Sequence, residues 1–137
     1  MFVILLDVWH RGAINDILVE YTLNAVSIIM NSHVKVVQPT GILDSTKTNQ
    51  FRAEISELVN SGAKMVLVNL KDITFIDSSG LGALVIALKT VRSAGGRFYI
   101  CSINEQVRIL FELTSMDQVF EVYDNQEAFE QAVLSPS

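Results

Sequence analysis

The apolar residues of this chain fall into short runs, and the spacing within each run predicts its element. Between Thr46 and Ser61 the apolar side chains recur at helical spacing, at positions 51, 55, 58 and 59. Met65–Leu70 is almost continuously apolar, which is typical of a strand covered on both faces. From Ser78 onwards a longer apolar run follows one helical stripe, at positions 81, 84, 85, 88 and 91. The pattern therefore predicts a helix, a central strand and a second helix in succession.

The second half of the chain continues the alternation of strands and helices. It predicts strands over Arg97–Cys101 and Val119–Tyr123, and helices over Asn104–Thr114 and Asn125–Leu134. Strands that alternate with helices build βα units, whose strands run parallel. The fold class is therefore α/β, with a mixed, mainly parallel sheet of four to five strands and about four helices.

The segment before the first of these helices has strand-like composition. Val26–Met30 and His33–Gln38 are rich in β-formers and predict two strands joined by a turn. Gly41–Asp44 is predicted to be a loop, and either Asp44 or Ser45 is expected to cap the following helix.

The amino-terminal stretch follows a different pattern. Met1–Leu6 is apolar but too short to cross a membrane. A short amphipathic segment is predicted by apolar residues at helical spacing, namely Ile14, Ile17 and Leu18. Residues 1–24 are either an added strand or helix, or an extension created by too early a start codon, with Met30 as an alternative start. We expect an amino-terminal extension over 1–24, one domain over 25–134 and a tail over 135–137.

Composition narrows the function classes. A chain of 137 residues suits a single domain. The formal net charge of −5 argues against nucleic-acid binding, which needs a basic face, and against attraction to anionic lipid. The single cysteine, Cys101, cannot form an internal disulfide and lies in an apolar run, where a buried inert thiol is expected. We therefore expect a cytoplasmic protein with no membrane span and no nucleic-acid partner.

Residue patterns for enzyme chemistry are weak. The Gly-rich phosphate-binding patterns are absent, and both histidines, His10 and His33, lie early in the chain. Two isolated histidines and one cysteine do not supply a metal-ligand set, so we expect no metal and no cofactor. Asp44 and Asp77 could form a carboxylate pair near Ser78, but no pocket for acid–base catalysis is evident. The chain is therefore expected not to be an enzyme.

The stretch from Asp77 to Gly82 has the pattern of a site. An apolar strand, a short loop and a helix that begins on small polar residues would expose a hydroxyl at the helix N-terminus. The free N–H groups and partial positive charge at that end would tolerate a phosphate on the hydroxyl. The alternative is that Asp77 or Ser78 only caps the helix. Gly80 and Gly82 indicate close approach, either of the helix to the sheet or of a partner to the exposed side.

Three segments resemble a known family. Asp72–Gly82 resembles the central signature of bacterial anti-sigma factor antagonists, which belong to the STAS-domain family. Gly41–Asp44 resembles the Gly-x-Leu-Asp segment before the family's first helix, and the chain from Cys101 to Thr114 resembles its late strand and third helix. The likeness covers roughly residues 34–133.

The resemblance implies a single STAS-type domain and a regulatory role. It places the phosphorylated serine at Ser78, with the neighbouring Ser79 as the competing hydroxyl. It also implies a partner-binding surface that comprises Asp44, Asp77, Ser78, Ser79, Gly80, Gly82 and Ile86. The protein would be a monomer when free.

The implied partners are an anti-sigma factor that is also a serine kinase of the GHKL type, and a PP2C-type serine phosphatase. The unphosphorylated protein would bind the anti-sigma factor and free a sigma factor, and phosphorylation would release it. Two alternatives stay open: a STAS module of another signalling or transport assembly, and a small ligand-binding or catalytic α/β domain.

Overall fold

The computed structural model describes residues 14–135. Within this range the helices are α1 (Ile14–His33), α2 (Thr48–Asn60), α3 (Ser78–Ser93), α4 (Glu105–Leu113) and α5 (Gln126–Phe129). The strands are β1 (Val34–Val37), β2 (Gly41–Leu43), β3 (Met65–Asn69), β4 (Ile73–Ile76), β5 (Arg97–Cys101) and β6 (Val122–Tyr123). A 3-10 turn over Met116–Gln118 precedes β6, and a π-helical turn over Glu130–Leu134 extends α5. The apolar segment Met1–Leu6 lies outside the described residues.

The strands form two parallel sheets. The main sheet has the order β1-β3-β5-β6, and β2 pairs with β4 in a second sheet. Every described pairing is parallel, so the α/β class with a mainly parallel sheet is confirmed. The small second sheet carries the residues that lead into α3, and it therefore positions the start of that helix.

The main sheet is covered on both faces. Alternate residues of β3, such as Val66 and Val68, point into the larger core, which includes residues of α2, α3 and α4. Leu67 points to the other face, where it packs in a smaller cluster with Tyr99 and Phe129. The rings of Tyr99 and Phe129 lie 5.0 Å apart between centroids. Burial on both faces explains why β3 is apolar at nearly every position.

Most predicted elements are confirmed, with shifted ends. The helix predicted over Thr46–Ser61 is α2, and the helices predicted from Ser78 and from Asn104 are α3 and α4. The strands predicted at Met65–Leu70 and Arg97–Cys101 are β3 and β5. The final strand is shorter than expected, because only Val122–Tyr123 pairs with β5.

The strand predicted over Val26–Met30 is wrong. These residues belong to α1, which runs from Ile14 to His33, where β1 follows at once. Neither glycine nor proline occurs between Gly12 and Pro39, so the sequence contains no residue that would break a helix there. The helical spacing of Ile14, Ile17 and Leu18 predicted this helix more accurately than the β-forming composition of Val26–Met30 did.

The loop predicted over Gly41–Asp44 is also wrong. Gly41–Leu43 forms β2, and its partner β4 lies in a segment for which no strand was predicted. The amide of Gly41 donates to the carbonyl of Asp72 at 2.9 Å, and Leu43 is completely buried. Strands of three or four residues are too short to show a periodicity of two, so the pattern of apolar positions could not reveal this pair.

Candidate functional site

The pairing of β2 with β4 brings two acidic residues to one place. Leu43 is the register partner of Ile76, so Asp44 and Asp77 follow the last pair on neighbouring strands. The amide of Asp77 lies 3.4 Å from the carbonyl oxygen of Leu43, which continues the ladder by one step. Because the strands are parallel, both residues lie at the carboxyl end of this small sheet.

Asp77 is the cap of α3. Its backbone is extended, and its carboxylate oxygen Oδ1 accepts a hydrogen bond from the amide of Gly80 at 2.9 Å. Its carbonyl accepts from the amide of Leu81 at 2.9 Å, which closes the first helical turn. Of the two candidate caps, the structure selects Asp77 and leaves Ser78 as the first helical residue. The side chains of Ser78 and Ser79 are both exposed.

The two glycines of α3 have opposite surroundings. A Cβ on Gly80 would lie 2.1 Å from the carbonyl oxygen of Leu43 and 2.9 Å from a methyl carbon of Ile76. A Cβ on Gly82 would meet no atom of residues 14–135 within 4 Å. Gly80 is buried, and its lack of a side chain is needed for the helix to approach β2. Gly82, by contrast, lies on the open side.

The open side of α3 continues along the helix. Ile86, one turn beyond Gly82, is 39% exposed, while Leu84 and Leu88 are buried against the core. The exposed hydroxyls, the bare backbone at Gly82 and the apolar side chain of Ile86 therefore form one continuous strip. We call Ser78, Ser79, Gly82 and Ile86 the α3 strip.

Asp44 remains anionic beside this strip. The hydroxyl of Thr46 donates to its Oδ1 at 2.6 Å and the amide of Thr46 donates to the same atom at 2.9 Å. These hydrogen bonds, with a smaller contribution from Lys47, hold the pKa of Asp44 below its usual value. The prediction that Asp44 or Ser45 caps this helix is wrong, because the capping position of α2 is Lys47, which offers no side-chain hydrogen bond.

Sequence reasoning missed the residues that hold the strand before Ser78. The side chain of Gln106 accepts from the amide of Ile76 at 3.0 Å and donates to its carbonyl at 2.9 Å. The side-chain amide of Asn104 donates to the backbone carbonyls of Ile73 and Thr74 at 3.2 and 3.1 Å. These contacts join residues about thirty positions apart, so no local signal could have indicated them.

The described residues give little support for a metal site, a membrane-spanning helix or a reactive cysteine. Among residues 14–135, no group of three or more His, Cys, Asp or Glu side chains is placed to hold a metal ion. The same stretch contains no helix with the length and apolar character that a membrane crossing requires. Cys101 is buried, and burial raises the pKa of its thiol, as expected for an inert side chain. The exposed serines at the start of α3 are thus the part of the site best suited to chemical modification.

Comparison with known proteins identifies the family of this chain. The STAS-domain pattern matches residues 25–128. A candidate anti-sigma factor antagonist of Thermotoga neapolitana is 34% identical over 100 residues, which are 72% of this chain and 88% of that protein.

Two solved structures share the fold. The crystal structure of a candidate anti-sigma factor antagonist from Thermotoga maritima matches with a TM-score of 0.69 and 29% identity, over 74% of this chain and 87% of that one. The anti-sigma factor antagonist SpoIIAA, in its unphosphorylated form, matches with a TM-score of 0.61 and 25% identity, over 72% and 87%. These relatives are named as regulators and not as enzymes. On the sequence match and the shared fold together, this chain belongs to the STAS-domain family.

Proposed function

We propose that this protein is an anti-sigma factor antagonist whose binding is switched by phosphorylation of Ser78. The observation that carries the proposal is the start of α3, where Asp77 takes the capping role and leaves the adjacent hydroxyl exposed. Capping and modification are therefore compatible, because they use different side chains. The names of the relatives support the antagonist role.

Phosphorylation would act on the interface more than on the fold. A phosphate adds about −1.5 to −2 charges at neutral pH, here next to the carboxylates of Asp77 and Asp44. The N-terminus of α3 can accept that charge, since its amides carry partial positive charge. A partner that fits the neutral hydroxyl would meet added bulk and concentrated negative charge. The switch is thus local electrostatics at the end of a stable helix.

The proposed partner surface is the α3 strip together with Asp44 and Asp77. On this proposal an anti-sigma factor that is also a GHKL-type serine kinase binds the surface and phosphorylates Ser78 with ATP. A PP2C-type phosphatase restores the hydroxyl. The proposed place of action is the cytosol, where sigma factors and ATP are present.

A labelling experiment tests the site. The native chain is incubated with cell extract of its source and radioactive ATP, and the labelled residue is identified by mass spectrometry. We expect the label on Ser78, its loss in Ser78→Ala, and normal labelling in Ser79→Ala. Label that persists in Ser78→Ala but disappears in Ser79→Ala would mean that the adjacent hydroxyl is the acceptor.

A capture experiment tests the partner. Ser78→Ala and Ser78→Asp are immobilised and exposed to the same extract, and bound proteins are identified. We expect the Ala variant, which mimics the unphosphorylated state, to retain a serine kinase that the Asp variant does not retain. Equal capture by both variants would contradict a charge-controlled switch.

A further inference from the structure

Within residues 14–135, the edge of β4 that faces away from β2 is held by side chains and not by another strand. On this edge Ile76 uses both of its backbone groups to bond the amide of Gln106, at 3.0 and 2.9 Å. A side-chain amide has the same donor and acceptor as a peptide group, so Gln106 replaces one residue of a missing strand. Exposed strand edges normally leave such groups to water or to another chain.

The contact between Gln106 and Ile76 lies immediately before the proposed phosphorylation site in the chain. Ile76 is joined directly to Asp77, the cap of α3, and Ser78 is the next residue. The side chain of Ile76 is buried, and the following amide, that of Asp77, bonds to β2. Gln106 therefore supplies the lateral support on the side that β2 does not reach.

Gln106 is itself held in place at the capped start of α4. Gln106 lies in the first turn of α4, and this helix is capped by Asn104, whose Oδ1 accepts from the amide of Val107 at 2.9 Å. The same Asn104 side chain donates to two carbonyls of β4. The start of α4 is thereby tied to the whole length of the strand that ends at the proposed phosphoacceptor.

We propose that Gln106 is a positioning residue for Ser78, which sets the place from which α3 presents the hydroxyl to a kinase. The proposal rests on the proposed function, because it takes Ser78 as the acceptor. Gln106 touches neither the hydroxyl nor the phosphate donor; it acts through the backbone of Ile76. If its role were only structural, its loss would lower stability and leave the phosphorylation kinetics of the folded protein unchanged.

The test uses Gln106→Met, which keeps the length of the side chain and removes both hydrogen bonds. The matched control is Gln126→Met. Gln126 is also half-buried and also ties a helix to a strand, because its Oε1 accepts from the side-chain amide of Asn69 at 3.2 Å. This contact lies on the opposite face of the main sheet. Both variants are made in the full chain and assayed well below their melting temperatures.

Two quantities are measured. The first is the phosphorylation kinetics with the kinase captured on the immobilised Ser78→Ala variant, and the second is the hydrogen-exchange rate of the Ile76 amide. We expect Gln106→Met to lower kcat for Ser78 at least fivefold with KM within twofold, and to raise the hydrogen-exchange rate of the Ile76 amide at least tenfold. Gln126→Met should leave both within twofold of the native chain. Faster exchange at Ile76 with an unchanged kcat would overturn the positioning role.

The two proposals fail in different ways. If the native chain itself is not labelled at Ser78, the proposed function is wrong, and this is known before any Gln106 variant is compared. If Ser78 is labelled but Gln106→Met matches the native kcat, only the positioning role is wrong. Should Gln106→Met not fold, Gln106→Asn keeps an amide but shortens its reach by one methylene. The same loss of kcat and the same faster exchange at Ile76 are then expected, and a native kcat together with fast exchange at Ile76 in Gln106→Asn would overturn the proposal.

Discussion

The two glycines near the start of α3 show how differently two sides of one helix are constrained. Gly80 lies directly against the backbone carbonyl of Leu43, whereas no atom of the described residues lies within 4 Å of a Cβ placed on Gly82. In the sequence they are the same residue two positions apart, and both break the apolar pattern. One glycine is needed for the packing of this domain. The other is free of any such need among the described residues, and it is thus available to a partner that approaches the backbone.

The largest effect is expected at the buried side. In Gly80→Ala the new methyl group would overlap the backbone of Leu43, which cannot move aside as a flexible side chain can. We expect a loss of about 2–3 kcal/mol in the free energy of unfolding, because overpacking of a tight contact costs this much. Urea denaturation measures it. A variant as stable as the native chain would mean that the two sides of α3 do not differ as described.

The next effect concerns binding at the exposed side. Ser78→Asp places one negative charge at the N-terminus of α3, where a negative charge is stabilising by about 0.3–1 kcal/mol before the nearby carboxylates offset it. We expect near-native melting but at least a tenfold loss of anti-sigma affinity, about 1.4 kcal/mol. Calorimetric titration of the native chain and of Ser78→Asp against the captured partner measures this. Unfolding of Ser78→Asp would show that Ser78 is structural, and native affinity would exclude charge at this position as the switch.

Asp77 contributes to both sides of α3, because it caps the helix and is adjacent to the α3 strip. Asp77→Ala removes the acceptor for the amide of Gly80. We expect it to lower the free energy of unfolding by about 1 kcal/mol, the usual cost of losing a helix cap. Asp77→Asn, which can still accept that hydrogen bond, should retain most of the stability. Equal losses in both variants would indicate that the charge matters more than the cap.

A substitution on the open side of α3, at Gly82, should raise the stability of the protein, whereas Gly80→Ala should lower it. Gly82→Ala fills empty space with a methyl group and is expected to raise the free energy of unfolding by about 0.5–1 kcal/mol, since alanine is the better helix former. The same methyl group should weaken partner binding if the partner lies close to the backbone here. Thermal melting and titration of this variant together separate the two effects. A loss of stability would place an unseen constraint on Gly82.

The smallest effect is expected from the amino-terminal extension. The side chains of Asp16, Ile17, Val19, Glu20 and Tyr21 are all exposed on α1. We therefore predict that removal of residues 1–24 leaves a folded domain with both sides of α3 unchanged. Melting temperature and labelling at Ser78 test this prediction. A large fall in melting temperature would mean that the extension packs into the core and that the boundary at residue 24 is wrong.

The sequence alone determined the elements that carry their own periodicity. The stripe of α3, the apolar run of β3 and the polar start at Asp77 are local signals, and each indicated the correct element. The same stretch also predicted the exposed hydroxyl at Ser78, because a helix start after a strand implies its surroundings. Such features depend on neighbours three or four positions away, and these neighbours are visible in the sequence.

Tertiary structure alone decided the rest. The β2–β4 pair is too short to show a pattern, and its existence depends on the contact between segments some thirty residues apart. Because β2 lies against the start of α3, Gly80 has no room for a side chain, whereas Gly82 faces away from β2. Long-range packing also brings the side chain of Gln106 to the backbone of Ile76. A residue's type reports what it can do, but whether it is pressed against a carbonyl or faces open space is set by whatever part of the chain folds beside it.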